Sequence, residues 1–228
     1  CGVCSRRDAD KLIEQGKVLV NGQVAGMGQQ VEETDTVQVG KKILQGKQTQ
    51  KVLAFYKPVG VTCTERDPHA EKKIMDMIRY PERLTYAGRL DKDSEGLILL
   101  TNDGDLINAM MRGANRHEKE YIVKTDREIT PDFLQKMAKG IYLKDLDITT
   151  RECEIEQIGK FTFRIVLTQG VNRQIRRMCE ACGYRVKALK RIRIMNILLG
   201  NLKPGKWREV TGEELEQLQR DTGMLNRN

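Results

Sequence analysis

The stretch Gly88-Arg89-Leu90-Asp91-Lys92-Asp93-Ser94-Glu95-Gly96 runs directly into the apolar segment Leu97-Ile98-Leu99-Leu100. Glycines at both ends and charged residues between them indicate a short loop, and the aliphatic run predicts a buried strand. The carboxyl group of Asp91 therefore lies on a glycine-bounded loop where a core strand begins. A carboxylate held in this way is a candidate catalytic group.

A second segment, Asn172-Arg173-Gln174-Ile175-Arg176-Arg177-Met178, opens a predicted helix over residues 172–182. An arginine at salt-bridge distance favours the ionised form of a buried carboxylate and fixes its orientation through the planar guanidinium. Together the two segments predict one acidic residue that acts on a polyanionic substrate.

The positive charge of the chain is concentrated in one region. The net charge is +8, yet residues 1–43 are close to balanced. Between residues 160 and 210 only Glu180 and Glu209 oppose the basic residues, which are Lys160, Arg164, Arg173, Arg176, Arg177, Arg185, Lys187, Lys190, Arg191, Arg193, Lys203, Lys206 and Arg208. A one-sided basic block is typical of a surface that binds a phosphate backbone. The alternative is a solvated basic face without a partner.

The composition is that of a globular protein, with 39% hydrophobic and 32% charged residues among 228. No apolar run approaches the ~20 residues that span a bilayer, and no signal peptide is predicted. We therefore expect no membrane association. The chain begins with Cys1 rather than methionine, and we expect a preceding segment to be missing.

Six cysteines raise the question of a metal site. Cys1 and Cys4 form one C-x-x-C pair and Cys179 and Cys182 another, a spacing that zinc sites use. However, the second pair continues an arginine-rich helical pattern, and the two pairs lie at opposite ends of the chain. We therefore expect free thiols in a reducing cytoplasm and no metal. Both histidines stand among charged residues and are interpreted as surface groups.

Residues 1–43 have the pattern of a small module. Ser5 is a candidate helix N-cap, with Asp8 in place of the usual capping-box glutamate, and Gly16 ends the helix. Short strands are predicted over residues 17–20 and 36–39, the first leading into an Asn21-Gly22 turn.

This module resembles the S4 RNA-binding domain in Ser5-Arg6-Arg7-Asp8-Ala9, Leu12-Ile13, Gly16-Lys17-Val18 and Val20-Asn21-Gly22. That family places a helix with basic residues at its start against the RNA backbone. The resemblance therefore implies that Arg6, Arg7 and Lys17 contact phosphates. The alternative is that the two arginines only solvate a helix end, where positive charge is slightly unfavourable. The family also has an earlier helix, so we expect the module to be incomplete on its N-terminal side.

Residues 44–50 are polar and predict a linker, and residues 51–228 predict an α+β domain with a largely antiparallel sheet. Strands are predicted over residues 52–56, 97–101, 120–124, 161–167 and 207–210, with further basic strands that end at residue 194. Helices are predicted over residues 105–111 and 172–182, and two more begin at residue 130 and at a capping box over 211–214.

Four motifs carry a second resemblance: Lys57-Pro58-Val59-Gly60, Gly88-Arg89-Leu90-Asp91, Lys119-Glu120-Tyr121 and Gly170-Val171-Asn172-Arg173-Gln174-Ile175-Arg176-Arg177-Met178. In this order they resemble the pseudouridine synthases, in the branch whose catalytic domain follows an S4 domain. Residues 116–121 and 191–196 look most like the F-type synthases, which act on large-subunit (23S) ribosomal RNA.

The resemblance implies roles for three residues. Asp91 would be the catalytic carboxylate, because it alone occupies the G-R-L-D position, with Asp93 as the competing candidate. Tyr121 would lie over the target base, its ring available for stacking and its hydroxyl for proton transfer. Arg176, the match in the last motif, would be the ion-pair partner of Asp91.

The remaining basic residues of the motifs are interpreted as RNA contacts. Helical spacing turns Arg173 and Arg177 away from the direction of Arg176, so we expect both to bind phosphates, with Arg177 as an alternative partner of Asp91. Arg89 would contact RNA or support the Asp91 loop. Lys57 is expected at the pocket rim, in contact with RNA.

The implied reaction breaks the N1–C1′ bond of uridine and joins C5 to C1′. It requires no redox step, phosphate energy or metal, so we expect no cofactor. The target base must leave its stack, and RNA proteins read such bases mostly in loops. We therefore expect a cytoplasmic monomer that modifies a ribosomal RNA stem-loop. The alternatives are a transfer RNA substrate, or a non-catalytic RNA-binding factor in ribosome assembly.

Overall fold

The computed structural model describes residues 3–32, 34–44, 49–64 and 71–225. Cys1 and residues 45–48 of the predicted linker lie outside the described residues. The chain forms two compact units. The first comprises Cys1–Gln50 with Tyr80–Leu84, and the second comprises Lys51–Arg79 with Thr85–Asn228.

The first unit consists of one helix and a four-stranded sheet. Its elements are α1 (Arg6–Glu14), β1 (Val18–Val20), β2 (Gln23–Val24), β3 (Val37–Val39) and β4 (Lys42–Ile43). The strand order is β2-β1-β3-β4, and every pair is antiparallel. Val18, Val20 and Ala25 form the core, against which Leu12 and Ile13 of α1 pack.

The helix α1 begins at the predicted cap. The Ser5 hydroxyl accepts a hydrogen bond from the backbone N–H of Asp8 and donates one to the Asp8 carboxylate at 2.6 Å. Gly16 follows the helix at φ +64°, a left-handed conformation that glycine adopts without strain. The chain therefore turns directly from α1 into β1.

The second unit carries the larger sheet. Its strands are β5 (Val52–Lys57), β6 (Thr85–Ala87), β7 (Glu95–Thr101), β8 (Lys119–Thr125), β9 (Tyr142–Leu143), β10 (Ile148–Thr149), β11 (Glu154–Gly159), β12 (Thr162–Leu167), β13 (Val186–Ile194), β14 (Ile197–Leu198) and β15 (Trp207–Glu209). Its helices are α2 (Gly104–Met111), α3 (Pro131–Ala138), α4 (Gln174–Ala181) and α5 (Gly212–Asp221), with single 3-10 turns at Ile74–Met77 and Gly113–Asn115.

The main sheet has the order β11-β12-β8-β13-β7-β5-β15, with β14 beside β13 and β6 beside β7. Its neighbouring strands pair antiparallel except β7 and β13, which are parallel at the centre. The predicted α+β class with a largely antiparallel sheet is confirmed.

The central parallel pair depends on Gly96. Gly96 lies opposite Arg191 in the register, and its φ is +113°. A Cβ atom at this position would lie 2.2 Å from the carbonyl oxygen of Arg191. Only glycine lets the two backbones approach this closely, so the residue that ends the opening motif also joins the two halves of the sheet.

Two apolar clusters flank the sheet centre. One packs residues of β5 and β7, such as Ala54 and Leu99, with Leu106 of α2 and Leu218 of α5. The other joins β8 and β12 to α3 and α4, and in it the rings of Phe133 and Phe163 meet edge-on at 5.5 Å. No helix in the described part of the chain is long and apolar enough to cross a membrane.

One predicted helix start and one predicted helix cap differ from the structure. The helix predicted from residue 172 begins at Gln174, because Arg173 adopts a left-handed conformation with φ +53°. The predicted capping box at Thr211 is wrong, since the Thr211 side chain makes no capping hydrogen bond to α5.

Candidate active site

A cleft of about 740 Å³ lies in the second unit where the loop before β7 faces β8, β13 and the start of α4. Loop residues 88–92, Tyr121, Arg191 and the segment Leu167–Arg176 contribute to its lining. Its volume lies within the usual range of ligand-binding clefts and is large enough to admit an extruded base.

The lining of the cleft is strongly cationic. Its described basic residues are Arg89, Lys92, Arg112, Lys119, Arg173, Arg176 and Arg191. Among the described lining residues, Asp91 alone is acidic, and the competing candidate Asp93 does not line the cleft. An anionic ligand is therefore attracted to a place where one carboxylate is available.

The loop that carries Asp91 is fixed at both ends. The backbone N–H of Ser94 donates to the carbonyl of Asp91 at 3.1 Å, which closes a tight turn, and the N–H of Gly60 donates to the carbonyl of Lys92 at 2.7 Å. Leu90 and Ser94 are buried, while the Asp91 side chain stays 31% exposed. The turn thus holds the carboxylate at the cleft on a rigid base.

Arg173 is the arginine that pairs with Asp91. Its Nη1 lies 3.5 Å from Asp91 Oδ2, and its guanidinium also donates to both Asp93 carboxylate oxygens at 3.3 Å. The hydrogen bonds to Asp93 raise the pKa of Arg173 above its ordinary value. The prediction that helical spacing turns Arg173 away from the direction of Arg176 is wrong, because Arg173 lies outside the helix in a left-handed conformation and both guanidiniums contact Asp93.

Arg176 binds the loop rather than the Asp91 carboxylate. Its Nη2 lies 3.2 Å from an oxygen of the Asp93 carboxylate, 3.0 Å from the Asp93 carbonyl oxygen and 3.1 Å from the Ser94 hydroxyl. The side chain is only 9% exposed. The predicted pairing of Arg176 with Asp91 is therefore replaced by a clamp on the turn that carries Asp91.

Arg177 points elsewhere. Its guanidinium forms an ion pair with Asp145 and donates to the carbonyl of Asn172, and it is not among the residues that line the cleft. The alternative pairing with Asp91 is not present, and its predicted phosphate contact stays a prediction.

Lys57 is fully buried rather than at the pocket rim. Its ammonium donates to the carbonyls of Val61 at 2.7 Å and Pro58 at 3.0 Å, which ties down the turn after β5. Burial lowers the pKa of Lys57, and nearby acidic groups, including Asp91 and Asp93, oppose this effect. The predicted RNA contact of Lys57 is contradicted, since RNA cannot reach a side chain with no exposed surface.

Tyr121 lines the cleft from β8. Arg191 lies opposite it on β13, and the guanidinium carbon of Arg191 is 6.0 Å from the centre of the Tyr121 ring. The structure thus brings Asp91 and Tyr121 to one cleft, with Arg173, Arg176 and Arg89 beside them. In the first unit, Arg6, Arg7 and Lys17 are exposed.

The lining includes residues that were not predicted as parts of the site, among them Lys119, Arg191 and His117. Lys119 had a sequence signal, because a residue two positions before Tyr121 on a strand shares its face. Arg191 gave none, since it stands among other basic residues of a strand. His117, interpreted as a surface group, is half-buried, and its burial lowers its pKa.

The cysteines show no metal geometry in the described part of the chain, where no cluster of three potential metal ligands occurs. Cys4, Cys63, Cys153, Cys179 and Cys182 are free thiols. Burial raises the pKa of Cys179 to about 12, which disfavours the thiolate that metal binding requires.

Comparison with known proteins agrees with both predicted resemblances. Residues 51–181 match the family described as RNA pseudouridylate synthase, and residues 2–37 match the S4 domain. The chain is 45% identical over 219 residues to the dual-specificity RNA pseudouridine synthase RluF of Escherichia coli (strain K12), covering 95% of this chain and 74% of that protein.

Two further relatives align over most of their length. An uncharacterized RNA pseudouridine synthase of Aquifex aeolicus (strain VF5) is 35% identical over 221 residues, covering 95% of this chain and 91% of that protein. A crystal structure of a pseudouridylate synthase superposes with a TM-score of 0.72 at 27% identity, covering 95% of both chains. From the family match and the identity to these relatives we conclude that the chain belongs to the RNA pseudouridylate synthase family and is an isomerase that converts uridine in RNA to pseudouridine.

Proposed function

We propose that this enzyme modifies a specific uridine of large-subunit (23S) ribosomal RNA, with Asp91 as its catalytic carboxylate. The observation that carries the assignment of Asp91 is the charge of the cleft, where it is the one acidic residue among the described lining residues. The substrate is a polyanion, so the cationic lining binds it while Asp91 performs the chemistry.

The reaction requires a carboxylate beside the sugar or the base of the target nucleotide. Asp91 either adds covalently to C1′ or C6, or assists an elimination that leaves a glycal-type sugar. In each case the N1–C1′ bond breaks, the detached base turns, and its C5 atom bonds to C1′ of the sugar. The cleft must retain the detached base throughout these steps.

Positive charge close to Asp91 supports its action as an anion. Arg173 contributes the nearest guanidinium at 3.5 Å, and the buried ammonium of Lys57 adds a second positive charge behind the loop. Arg176 keeps the turn in place through Asp93 and Ser94. Arg176 is thus a positioning residue in this proposal, and Arg173 takes the role that the motif suggested for Arg176.

Tyr121 is the platform for the flipped base. A tyrosine ring that faces a cleft offers an apolar surface for stacking and a hydroxyl for proton transfer. Flipping a base out of a duplex costs about a few kcal/mol and less from a loop, which favours a stem-loop substrate.

The remaining basic residues suit the RNA backbone. Arg89 and Arg173 are exposed at the cleft, and Arg6, Arg7 and Lys17 are exposed on the S4 unit. We propose that these five contact phosphates of the stem-loop, with Arg177 at the periphery, and that the enzyme acts as a cytoplasmic monomer.

Transfer RNA is the second candidate substrate. The E. coli relative is a dual-specificity RNA pseudouridine synthase, which favours testing two RNA classes. The other alternative, a non-catalytic assembly factor, is not supported. Asp91, Tyr121 and a charged arginine partner all meet at one cleft, an arrangement that such a factor would not need.

Pseudouridine mapping tests the proposal. RNA from cells with and without the enzyme is treated with a carbodiimide that blocks reverse transcription at pseudouridine. We expect one discrete site in large-subunit ribosomal RNA to disappear and to return with the wild-type chain but not with Asp91→Asn. Loss of a transfer RNA site alone would identify transfer RNA as the substrate in place of ribosomal RNA. No lost site in a strain that expresses the protein would contradict the proposed ribosomal RNA substrate.

A further inference from the structure

Two cations in the cleft, Lys119 and Arg191, have no carboxylate partner among the described residues. Both line the cleft beside Tyr121. Lys119 makes one long hydrogen bond, 3.5 Å from Nζ to the carbonyl of His117. Burial lowers the pKa of Lys119, and the positive charge of Arg191 lowers it further. The pair is thus a place where the folded enzyme lacks negative charge.

Arg191 is fixed in this position and still has hydrogen-bonding capacity. The side chain is 2% exposed. Its Nε donates to the carbonyl of Leu97 at 2.7 Å, and its Nη1 donates to the carbonyl of Arg89 at 3.4 Å. Its Nη2 is buried and has no partner. A buried charged donor without an acceptor is rare in folded proteins and calls for an explanation.

Strand geometry brings the two cations to the same side as Tyr121. Lys119 and Tyr121 are two residues apart on β8, so their side chains share one face of the strand. Arg191 on β13 is the register partner of Tyr121, and its guanidinium lies 6.0 Å from the Tyr121 ring centre. A base stacked on Tyr121 is therefore adjacent to both cations.

The chemistry at Asp91 generates an anion at this place. When the N1–C1′ bond breaks heterolytically, its electron pair stays on the base and spreads from N1 to O2 and O4. The sugar loses that pair, and Asp91 compensates by bonding to C1′ or by removing the C2′ proton. The negative charge persists until the base's electrons form the C5–C1′ bond. In that step the Asp91–C1′ bond breaks and its electron pair returns to the carboxylate, or Asp91 returns the proton to C2′. C5 then loses its proton and N1 gains one.

We propose that Lys119 and Arg191 form the site that stabilises the detached uracil as an anion during its rotation. This inference rests on the proposed chemistry at Asp91 but not on which RNA is the substrate. It explains why the enzyme keeps two mutually repelling cations in a partly dry cleft, where each costs stability until an anion arrives.

The first test uses free bases and requires no RNA. The probes are uracil, which is neutral at pH 7, and 5-nitrouracil, whose nitro group makes it an anion at that pH. We expect the wild-type enzyme to bind 5-nitrouracil at least about tenfold more tightly than uracil in calorimetric titrations, as for a charge-assisted contact. Lys119→Met should lose this preference and Lys119→Arg should retain it.

Lys124→Met is the matched control. Lys124 is an exposed lysine of the same strand, and it lies an odd number of residues from Lys119 and Tyr121, so it projects from the other face. It should keep the wild-type preference. Equal binding of the two bases by the wild-type enzyme, or an unchanged preference in Lys119→Met, would overturn the proposal.

Single-turnover kinetics and thermal unfolding provide the second test. Lys119→Met should slow isomerisation of a bound RNA roughly 100-fold, the size expected when one donor to a developing anion is removed, while the melting temperature stays equal or rises. A lower melting temperature with unchanged single-turnover rate would mark Lys119 as a structural residue. Arg191→Lys, which keeps the charge but loses the planar fork, should retain the anion preference, whereas Arg191→Met should lose it. An unchanged preference in folded Arg191→Met would remove Arg191 from the site.

These results separate this inference from the proposed function. If Asp91→Asn retains turnover, the role of Asp91 fails while the base-binding preference can still hold. If the preference is absent but Asp91→Asn is inactive, only the anion site fails.

Discussion

Nη1 of Arg173 lies 3.5 Å from Oδ2 of Asp91, although Arg176 is the residue that the sequence motif assigns to this position. Arg173 is 41% exposed, whereas Arg176 is 9% exposed and binds the neighbouring turn. The two arginines therefore have different functions. Arg173 provides positive charge beside Asp91, the proposed catalytic carboxylate, and Arg176 holds the turn.

Asp91→Asn is expected to abolish isomerisation with little effect on folding or RNA binding. The turn is closed by the backbone carbonyl of Asp91, not its side chain, so the nearly isosteric amide should leave the loop intact. We expect turnover to fall more than about 1,000-fold, as when a covalent or acid–base catalyst is removed. Release of tritium from RNA labelled at uridine C5 measures the reaction.

Asp93→Asn is the matched control, because Asp93 lies on the same turn but does not line the cleft. It should keep measurable turnover. If the Asp91 variant is active and the Asp93 variant is inactive, Asp93 and not Asp91 is the catalytic carboxylate.

Alanine variants of Arg173 and Arg176 should distinguish a residue that supplies charge near Asp91 from one that holds the turn in place. Arg173→Ala removes a partly exposed ion pair, so the free energy of unfolding should change by less than about 1 kcal/mol while turnover falls. Arg176→Ala removes a buried guanidinium from the Asp93 carbonyl and the Ser94 hydroxyl. It should lower the free energy of unfolding by about 2–4 kcal/mol as well as activity. Urea denaturation and single-turnover assays measure both quantities. An unaltered stability of Arg176→Ala would contradict the clamp.

The parts of the fold that local sequence specifies were predictable. Ser5 and Asp8 mark the start of α1 through a cap, and the run Leu97–Leu100 marks a core strand through continuous apolar residues. The loop with Asp91 and its position before that strand followed from the same signals. These features require no knowledge of distant contacts.

The partner of Asp91 was not predictable in the same way. A left-handed conformation at a non-glycine residue such as Arg173 leaves no trace in hydrophobic periodicity, so the sequence does not show that Arg173 lies outside the helix. Lys57 was misassigned for a related reason. A lysine is polar in any sequence pattern, but here tertiary contacts with the carbonyls of Pro58 and Val61 bury it.

Gly96→Ala should destabilise the enzyme strongly. The new methyl group would lie 2.2 Å from the Arg191 carbonyl, and the φ of +113° is unfavourable for alanine. Forcing β7 and β13 apart should lower the free energy of unfolding by about 3 kcal/mol or more. Gly104→Ala is the control, since no atom lies within 4 Å of its Cβ position and it begins helix α2. That variant should be neutral or stabilised by up to about 1 kcal/mol. Similar melting temperatures for both variants would contradict the close approach of the two strands.

Arg6→Ala combined with Arg7→Ala should weaken RNA binding in a salt-dependent manner. Both side chains are exposed in the first turn of α1, where positive charge is unfavourable for the helix itself. Their removal should leave the melting temperature unchanged or slightly higher. If both contact phosphates, the slope of log K against log salt should decrease in magnitude by about 2, one for each lost contact. Lys136→Ala, in which an exposed lysine paired with Asp132 is removed, should leave the slope unchanged. An identical slope in the double variant would mean that the two arginines only solvate the helix end, and phosphate recognition would then have to come from the basic residues of the catalytic unit.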